Sequence, residues 1–190
     1  MVHILIVTVG ILIALSLDGI REGIRERHLV KDARDNFQLD IRANQDHLSS
    51  EIENLRKVEQ AIGDDLAQQQ SSDAASAGPL QEPVQPSFYF FRTTSWDTAL
   101  STGALGRMNP VEVSRYADVH EDVLSYSAIQ REALKAYLEL AALQGRPSLS
   151  REQVRMRQDD LRLLQQYFGV LLHLAAEFSE DLNAAQAKAP

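Results

Sequence analysis

Hydrophobic residues follow two different patterns along this chain, and the change occurs near Asp18. Eleven of the sixteen residues from 2 to 17 are Val, Leu or Ile, and none carries a fixed charge. As a helix, residues 2–20 would span about 28 Å, close to the roughly 30 Å hydrocarbon thickness of a bilayer. The pattern therefore predicts a transmembrane anchor at residues 1–20.

Two other interpretations of the apolar segment stay open. A cleaved signal peptide would explain the small residues of Ala14-Leu15-Ser16, but no Lys or Arg precedes the apolar run. A core helix of a soluble protein would show a polar face, which is missing here. If the segment is an anchor, Gly10 and Ala14 are candidate residues for a dimer contact, because small residues four apart allow two helices to approach closely.

A single apolar stripe follows the anchor. Its members recur mostly at steps of three and four, which is typical of one face of a helix in a bundle or coiled coil. Asn44 occupies the core position between Ile41 and Leu48. Residues 21–70 are therefore predicted to form a stalk that continues into the first bundle helix. The stripe consists of Val30, Ala33, Phe37, Ile41, Leu48, Ile52, Leu55, Ile62 and Leu66.

Residues 71–94 are predicted to be a linker followed by an aromatic segment. The stretch from 71 to 87 contains three prolines and many small residues, a composition typical of loops. Residues 88–91 then hold four of the chain's twelve Phe, Tyr and Trp residues. These aromatic residues would dock on the bundle as a short extended segment.

One short helix and two long ones are predicted in residues 95–190. Thr94 and Asp97 match a capping box, so a short helix should begin there and end near Gly103. Asn109, Pro110 and Glu112 start a helix that runs to about residue 143, and Ser150 with Gln153 starts the last one. The side chains expected to be buried are Val113, Tyr116, Val123, Ile129, Leu134, Tyr137 and Leu138 in the first long helix, and Val154, Leu161, Leu164, Phe168, Leu171, Leu172, Ala175, Phe178 and Leu182 in the second.

The helix lengths indicate a fold. The last two helices measure about 50 Å each, and the first helix beyond the anchor reaches about 60 Å. The predicted fold is all-α, with an N-terminal transmembrane helix that continues into an antiparallel bundle of three long helices plus one short helix. The excess length of the first helix would form a stalk.

Composition limits the function classes. The chain has 190 residues, 44% hydrophobic and 24% charged, which suits one folded domain beyond the anchor. It contains no cysteine, so disulfides and thiolate metal sites are excluded. A net charge of −8 argues against nucleic acid as a partner, because nucleic-acid binding needs clustered basic residues.

Two stretches, GILIAL at 10–15 and SWDTALSTGALGRMNPVEVSRYADVHE at 95–121, carry a resemblance to a known family. They resemble the DUF6090-type family of small single-anchor bacterial membrane proteins of unknown function. Trp96, Gly103, Asn109 and Tyr116 would match family positions, whereas His120 stands where an aromatic residue is usual. The resemblance implies a single-pass protein of the bacterial inner membrane with a helical domain, and it favours the periplasmic side for that domain. It implies no activity.

Candidate chemistry is sparse. His47 and Glu51 lie four residues apart and match one edge of a metal site, but such pairs are usually surface residues. His120, Glu121 and Asp122 are adjacent, so on a helix they point in different directions. His173 lies in an apolar stretch and is expected at the core or its boundary. No catalytic triad, phosphate loop or zinc-protease motif occurs, so no catalytic residue, metal or cofactor is predicted.

The aromatic segment and the residues after it form the best candidate surface. They would either bind a ligand or partner, or cap the end of the bundle, and capping is favoured because large aromatic side chains usually pack against helices. The candidate residues are Phe88, Phe90, Trp96, Gly103, Asn109 and Tyr116.

These features predict a non-enzymatic, membrane-anchored interaction or scaffold module whose partners are the lipid bilayer and either a second copy or another membrane protein. The alternative is an extracytoplasmic sensor-like bundle that binds a small ligand near Phe88–Gly103. Arg21, Arg25 and Arg27 follow the anchor and favour a cytoplasmic domain by the positive-inside rule, against the family resemblance. The orientation therefore stays open at this point.

Overall fold

The chain is described here by a computed structural model that covers residues 2–71, 85–142 and 150–187, with side chains for 17–67, 85–142, 150 and 152–187. Its elements are α1 (Val2–Ser71), α2 (Thr94–Ser101), a 3-10 helix (Leu105–Arg107), α3 (Pro110–Ala141) and α4 (Arg151–Gln186). No strand occurs in the covered ranges, so the prediction of an all-α bundle is confirmed.

The core stripe of α1 is more regular than the sequence indicated. From Phe37 to Ile62 its buried positions follow a heptad spacing, with steps that alternate between four and three, and polar residues occupy two of them, Asn44 and Glu51, each 0% exposed. Ile52 and Leu66, which were predicted to be core residues, are half-buried beside the stripe. The buried positions of α1 are Val30, Ala33, Phe37, Ile41, Asn44, Leu48, Glu51, Leu55, Val58 and Ile62.

The prediction that all three long helices alternate in direction is wrong. Side-chain contacts pair Arg34 with Glu112 and Glu51 with Gln130, so residue numbers rise together along α1 and α3, and the two helices are parallel. The pair of Arg157 with Asp65 and the bond from Gln38 to Ala185 run in the opposite sense, so α4 is antiparallel to α1.

Residues 85–93, here called the return segment, explain this topology. Hydrogen bonds place Ser87 beside Asn54 and Ser95 beside Asp40, so the chain descends along α1 before α2 begins. Eight residues thus cover fourteen helical residues of α1, about 21 Å, which requires a nearly extended backbone. This non-helical segment brings the chain back to the start of the bundle. Helix α3 can therefore run parallel to α1.

The buried face of α3 differs from the predicted one. Tyr116 and Val123 are buried as expected, but Leu134 and Leu138 are exposed, the latter by 58%. Small residues, Ala133 and Ala136, occupy the core at this level instead. Small side chains allow α3 to lie close to α4, so the larger leucines are on the outer side. The predicted core of α4 is confirmed for Leu161, Leu164, Phe168, Leu171, Ala175, Phe178 and Leu182, whereas Val154 and Leu172 are half-buried.

The helix ends follow local rules, with one exception. Asn109 caps α3 by accepting a bond from the Val111 amide, and Ser150 and Gln153 form the predicted capping box of α4. The predicted box at Thr94 is wrong, because Thr94 is the first helical residue and Thr93 makes no side-chain cap bond.

A residue of another helix takes over the cap of α2. The Asp40 carboxylate on α1 accepts bonds from the amide and hydroxyl of Ser95, at 3.0 and 2.6 Å. Tertiary packing thus supplies a hydrogen-bond acceptor for a backbone N–H in the first turn of α2, which no neighbouring side chain provides.

Several predictions fall outside the described part. The candidate contact residues Gly10 and Ala14 and the rest of the predicted anchor up to residue 16 have no described side chains, and the linker at 72–84 is not covered. Within the described residues, no helix contains an apolar stretch of the length that a bilayer span requires.

Candidate functional site

Polar side chains on one face of α1 bind the backbone of the return segment. The side-chain amide of Asn44 donates a hydrogen bond to the backbone carbonyl of Arg92 at 3.1 Å. Its oxygen accepts a hydrogen bond from the backbone N–H of Arg92 at 2.8 Å. Near the start of the return segment, the side-chain oxygen of Asn54 accepts a hydrogen bond from the backbone N–H of Ser87 at 2.7 Å. A segment without a strand partner needs such donors and acceptors, because buried backbone groups are costly when unpaired.

Glu51 forms the centre of this contact. Its carboxylate accepts bonds from the Tyr89 amide at 3.3 Å and from the Gln130 side chain at 2.9 Å, and Gln130 also donates to the Tyr89 carbonyl at 3.0 Å. One carboxyl group therefore joins α1, the return segment and α3. Burial raises the pKa of Glu51 to about 7, and the bonds from Tyr89 and Gln130 oppose that rise.

Tyr126 on α3 lies beside Glu51. Burial, followed by the nearby Glu51 carboxylate, raises the pKa of the Tyr126 phenol, so the phenol stays protonated. Its hydroxyl has no bond within hydrogen-bonding geometry to any described residue. Of the two groups, Glu51 is therefore the one that loses its proton first as pH rises.

Phe90 and Phe91 of the return segment lie in different environments. Phe91 inserts between Tyr126 and Phe178 in edge-to-face contacts, with ring centroids 5.2 and 5.1 Å apart. Phe90 is 87% exposed. Phe90 was predicted as a candidate residue and Phe91 was not, and a two-residue period could not have separated them, because the core-packed Phe88 and Phe91 are three residues apart.

A second aromatic group lies around Phe37. Tyr116 stacks on Phe37 with centroids 4.0 Å apart and planes inclined by 8°, and Trp96 contacts the ring edge-on at 6.4 Å. Trp96 also stacks on His120 at 5.1 Å. Trp96 and Tyr116 are therefore bound together through Phe37, and α2 is fixed to the side of α1 and α3.

The other candidate residues are distributed over separate places. Phe88 is half-buried against the core, and Asn109 acts as a helix cap. Gly103, with φ of 74°, ends α2 in a Schellman turn in which the Ala104 amide bonds the Ala99 carbonyl at 2.9 Å. The six residues do not form one continuous surface.

The histidines with described side chains, from His28 onward, do not come together in a metal site. His47 stacks on Tyr89 at 5.3 Å, whereas Glu51 points into the core. In the part of the chain with described side chains, no group of three His, Cys, Asp or Glu residues could hold a metal ion. The expectation for His173 is wrong: its side chain is solvent-exposed and lies 4.0 Å from Glu177.

An acidic pair between α3 and α4 was not predicted. Asp122 lies beside Asp181, and burial, followed by Asp181, raises the pKa of Asp122 to about 7. One buried oxygen of Asp122 lacks a hydrogen-bond partner among the described residues. The residues are 59 positions apart in sequence, and only the antiparallel packing of α3 and α4 brings them together.

Comparisons of this chain with protein-family models, with curated proteins and with solved structures find no match. The geometry of the chain itself therefore carries the functional conclusion.

Proposed function

We propose that this protein is a single-pass, membrane-tethered helical module without enzymatic activity, which acts by contacting a partner protein or a second copy of itself. The continuity of α1 carries the proposal, because one helix from Val2 to Ser71 joins the apolar segment to the bundle. This helix measures about 105 Å. About 28 Å of it would span the bilayer, and the stalk would separate the bundle from the membrane surface.

The end of the proposed anchor and the start of the stalk share an apolar stripe for such contacts. Leu17, Ile20 and Ile24 are 56, 57 and 45% exposed and lie on one face at helical spacing. They precede Val30, at which the bundle core begins. A stripe of this kind, next to the proposed anchor, favours pairing with a second helix at the membrane surface.

The proposed location is a bacterial inner membrane with the bundle in the periplasm, as the resemblance to the DUF6090-type family implies. Topology reporters fused after Pro190 test this orientation. Alkaline phosphatase should be active and green fluorescent protein dark. The opposite result would place the bundle in the cytoplasm and refute the proposed orientation.

A matched pair of variants tests the anchor. A charge in a membrane helix costs about 2.5–3.5 kcal/mol, so Leu12→Arg should shift the protein from the membrane to the soluble fraction. Leu39→Arg is the control, because Leu39 is 58% exposed on the bundle. Equal membrane retention of both variants would contradict the anchor.

Single-cysteine cross-linking tests the interaction role, and the absence of native cysteine makes each label specific. In native membranes, Ile24→Cys should cross-link to a second copy or to a partner, whereas the buried position in Leu55→Cys should not. A monomer without partners at every protein concentration would refute the proposal.

A further inference from the structure

A groove of about 700 Å³ opens where α4 ends between α1 and the start of α3. Its walls come from one face of α1, from the first turns of α3, and from Ala185 to Ala187 at the C-terminal end of α4. It lies at the opposite side of α1 from the return segment, because Gln38 reaches α4 while Asp40 and Asn44 hold the return segment. The groove is therefore separate from the contacts of the return segment.

The groove contains three arginines, and one of them is paired with a carboxylate. Arg34 forms a two-pronged ion pair with Glu112, at 2.6 and 2.7 Å. Tyr116 directs its hydroxyl to the same carboxylate at 3.3 Å. The second carboxylate of the lining, Asp35, is paired with Lys31 at 2.7 Å. Each acidic group of the groove is thus already neutralised.

The other two arginines of the groove have no partner among the described residues. Arg42 and Arg115 line the groove and have no hydrogen bond or ion pair with any described residue. Arg42 comes from α1 and Arg115 from α3, so the two charges face one space from different helices. This excess of positive charge occurs in a chain whose net charge is −8.

The end of α4 determines where a ligand would sit. Unpaired carbonyls at a helix C-terminus carry partial negative charge and disfavour an anion. An anionic group would therefore lie toward α1 and α3, next to Arg42 and Arg115. Guanidinium groups bind carboxylate and phosphate oxygens in pairs, which is the interaction that these two side chains leave unused.

We propose that this groove is a binding site for a small molecule with a phosphate or carboxylate group, held between Arg42 and Arg115. Arg34 contributes indirectly, since it neutralises Glu112 and keeps that carboxylate from repelling the ligand. This site goes beyond the proposed tethering role and does not depend on the anchor.

Inorganic phosphate and acetate are the probes, each titrated into the full chain at constant ionic strength with chloride as the reference anion. Saturable chemical-shift changes should occur at the Arg42 and Arg115 side-chain N–H signals for at least one probe. A response to phosphate alone or to acetate alone identifies the chemical class. Identical responses to chloride and to both probes would overturn the proposal.

Variants separate a binding role from a structural one. The double variant Arg42→Gln/Arg115→Gln should weaken binding at least tenfold, while its thermal stability without ligand stays the same or rises because two unpaired like charges are removed. Arg131→Gln, at an exposed position of α3, is the control and should bind as the unchanged chain does. Unaltered binding in the double variant would overturn the proposal.

Discussion

Asn44 binds the backbone of Arg92 through two reciprocal hydrogen bonds, in the manner of a neighbouring β-strand. The donor and acceptor of one amide side chain match the carbonyl and the amide of one residue. A helix has no free backbone groups along its side, so only side chains of α1 can serve the return segment in this way. Asn44 therefore occupies a heptad core position because its side chain binds the backbone of the return segment.

Replacement of Asn44 should destabilise the bundle. Asn44→Ala removes both partners of Arg92, and each unsatisfied buried group costs about 1–3 kcal/mol. The expected loss in the free energy of unfolding is about 2–4 kcal/mol, measured by urea denaturation followed by circular dichroism. Hydrogen exchange at the Arg92 amide should accelerate at the same time.

Asn54→Ala is the matched control. Asn54 makes the same type of contact with Ser87, but it is only half-buried and its bond is exposed to solvent, so water can replace the lost bond. Its expected cost is below about 1 kcal/mol. Equal losses in the two variants would show that the position of Asn44 in the core has no special importance.

The sequence was sufficient for the periodic features of the fold. The stripe of α1, the Asn109 cap and the Ser150 box depend on neighbouring residues, and local physics determines them. The direction of α3 relative to α1 depends on a non-helical segment whose bonds come from distant side chains. No local pattern in residues 85–93 encodes those partners.

The candidate site was predicted less well, for the same reason. Glu51 appeared as a surface partner of His47, yet the heptad count from Asn44 places it in the core. This signal was available in the sequence. The proximity of Asp122 to Asp181 and the groove that Arg42 shares with Arg115 were not, because they depend on how helices pack.

The ionisation of Glu51 should make stability depend on pH. Its pKa rises from an ordinary 4.5 to about 7 on folding, so the folded state holds a proton that the unfolded state releases. The stabilisation is complete below pH 4.5 and is lost as pH rises through 7. The shift corresponds to about 3 kcal/mol. Urea titrations at pH 5 and pH 8 should show lower stability at pH 8.

The variant Glu51→Gln isolates this effect, because it cannot ionise. Loss of one accepted hydrogen bond lowers its stability at pH 5, but the fall between pH 5 and pH 8 should become smaller by about 2–3 kcal/mol. A pH dependence as steep as that of the unchanged chain would refute the assignment to Glu51.

Asp122 should contribute a second part of the same pH dependence. Its pKa rises from 3.8 to about 7, so its stabilisation is also present at low pH and lost as pH rises through 7. Asp122→Asn should stabilise the protein at pH 8 by about 1–2 kcal/mol, since the side chain is partly solvated. Thermal unfolding at pH 8 measures the gain, and a loss would contradict the proximity of Asp181.

Gly103 should be intolerant of a side chain. Its φ of 74° is in the left-handed region, where Ala costs about 1 kcal/mol, and a Cβ would lie 3.2 Å from the Arg107 side chain. Gly103→Ala should therefore lower the midpoint of thermal unfolding. Gly106→Ala is the control, because its φ is not positive and a Cβ would meet no atom within 4 Å. A similar decrease in both variants would exclude backbone strain as the cause.

The buried ion pair between Arg157 and Asp65 should respond unequally to removal of its two members. The side chain of Arg157 is 5% exposed and that of Asp65 is 28% exposed, with 2.9 Å between Nη2 and Oδ2. Asp65→Ala leaves a guanidinium buried without its partner and should cost about 3–5 kcal/mol, whereas Arg157→Met leaves a carboxylate that water can reach and should cost about 1 kcal/mol.

Asp159→Ala breaks the exposed pair with Arg162 and should cost less than about 1 kcal/mol. Urea denaturation of the three variants gives the order directly. If Arg157→Met proved the most damaging, packing of the arginine stem, and not burial of its charge, would be the main contribution of this residue.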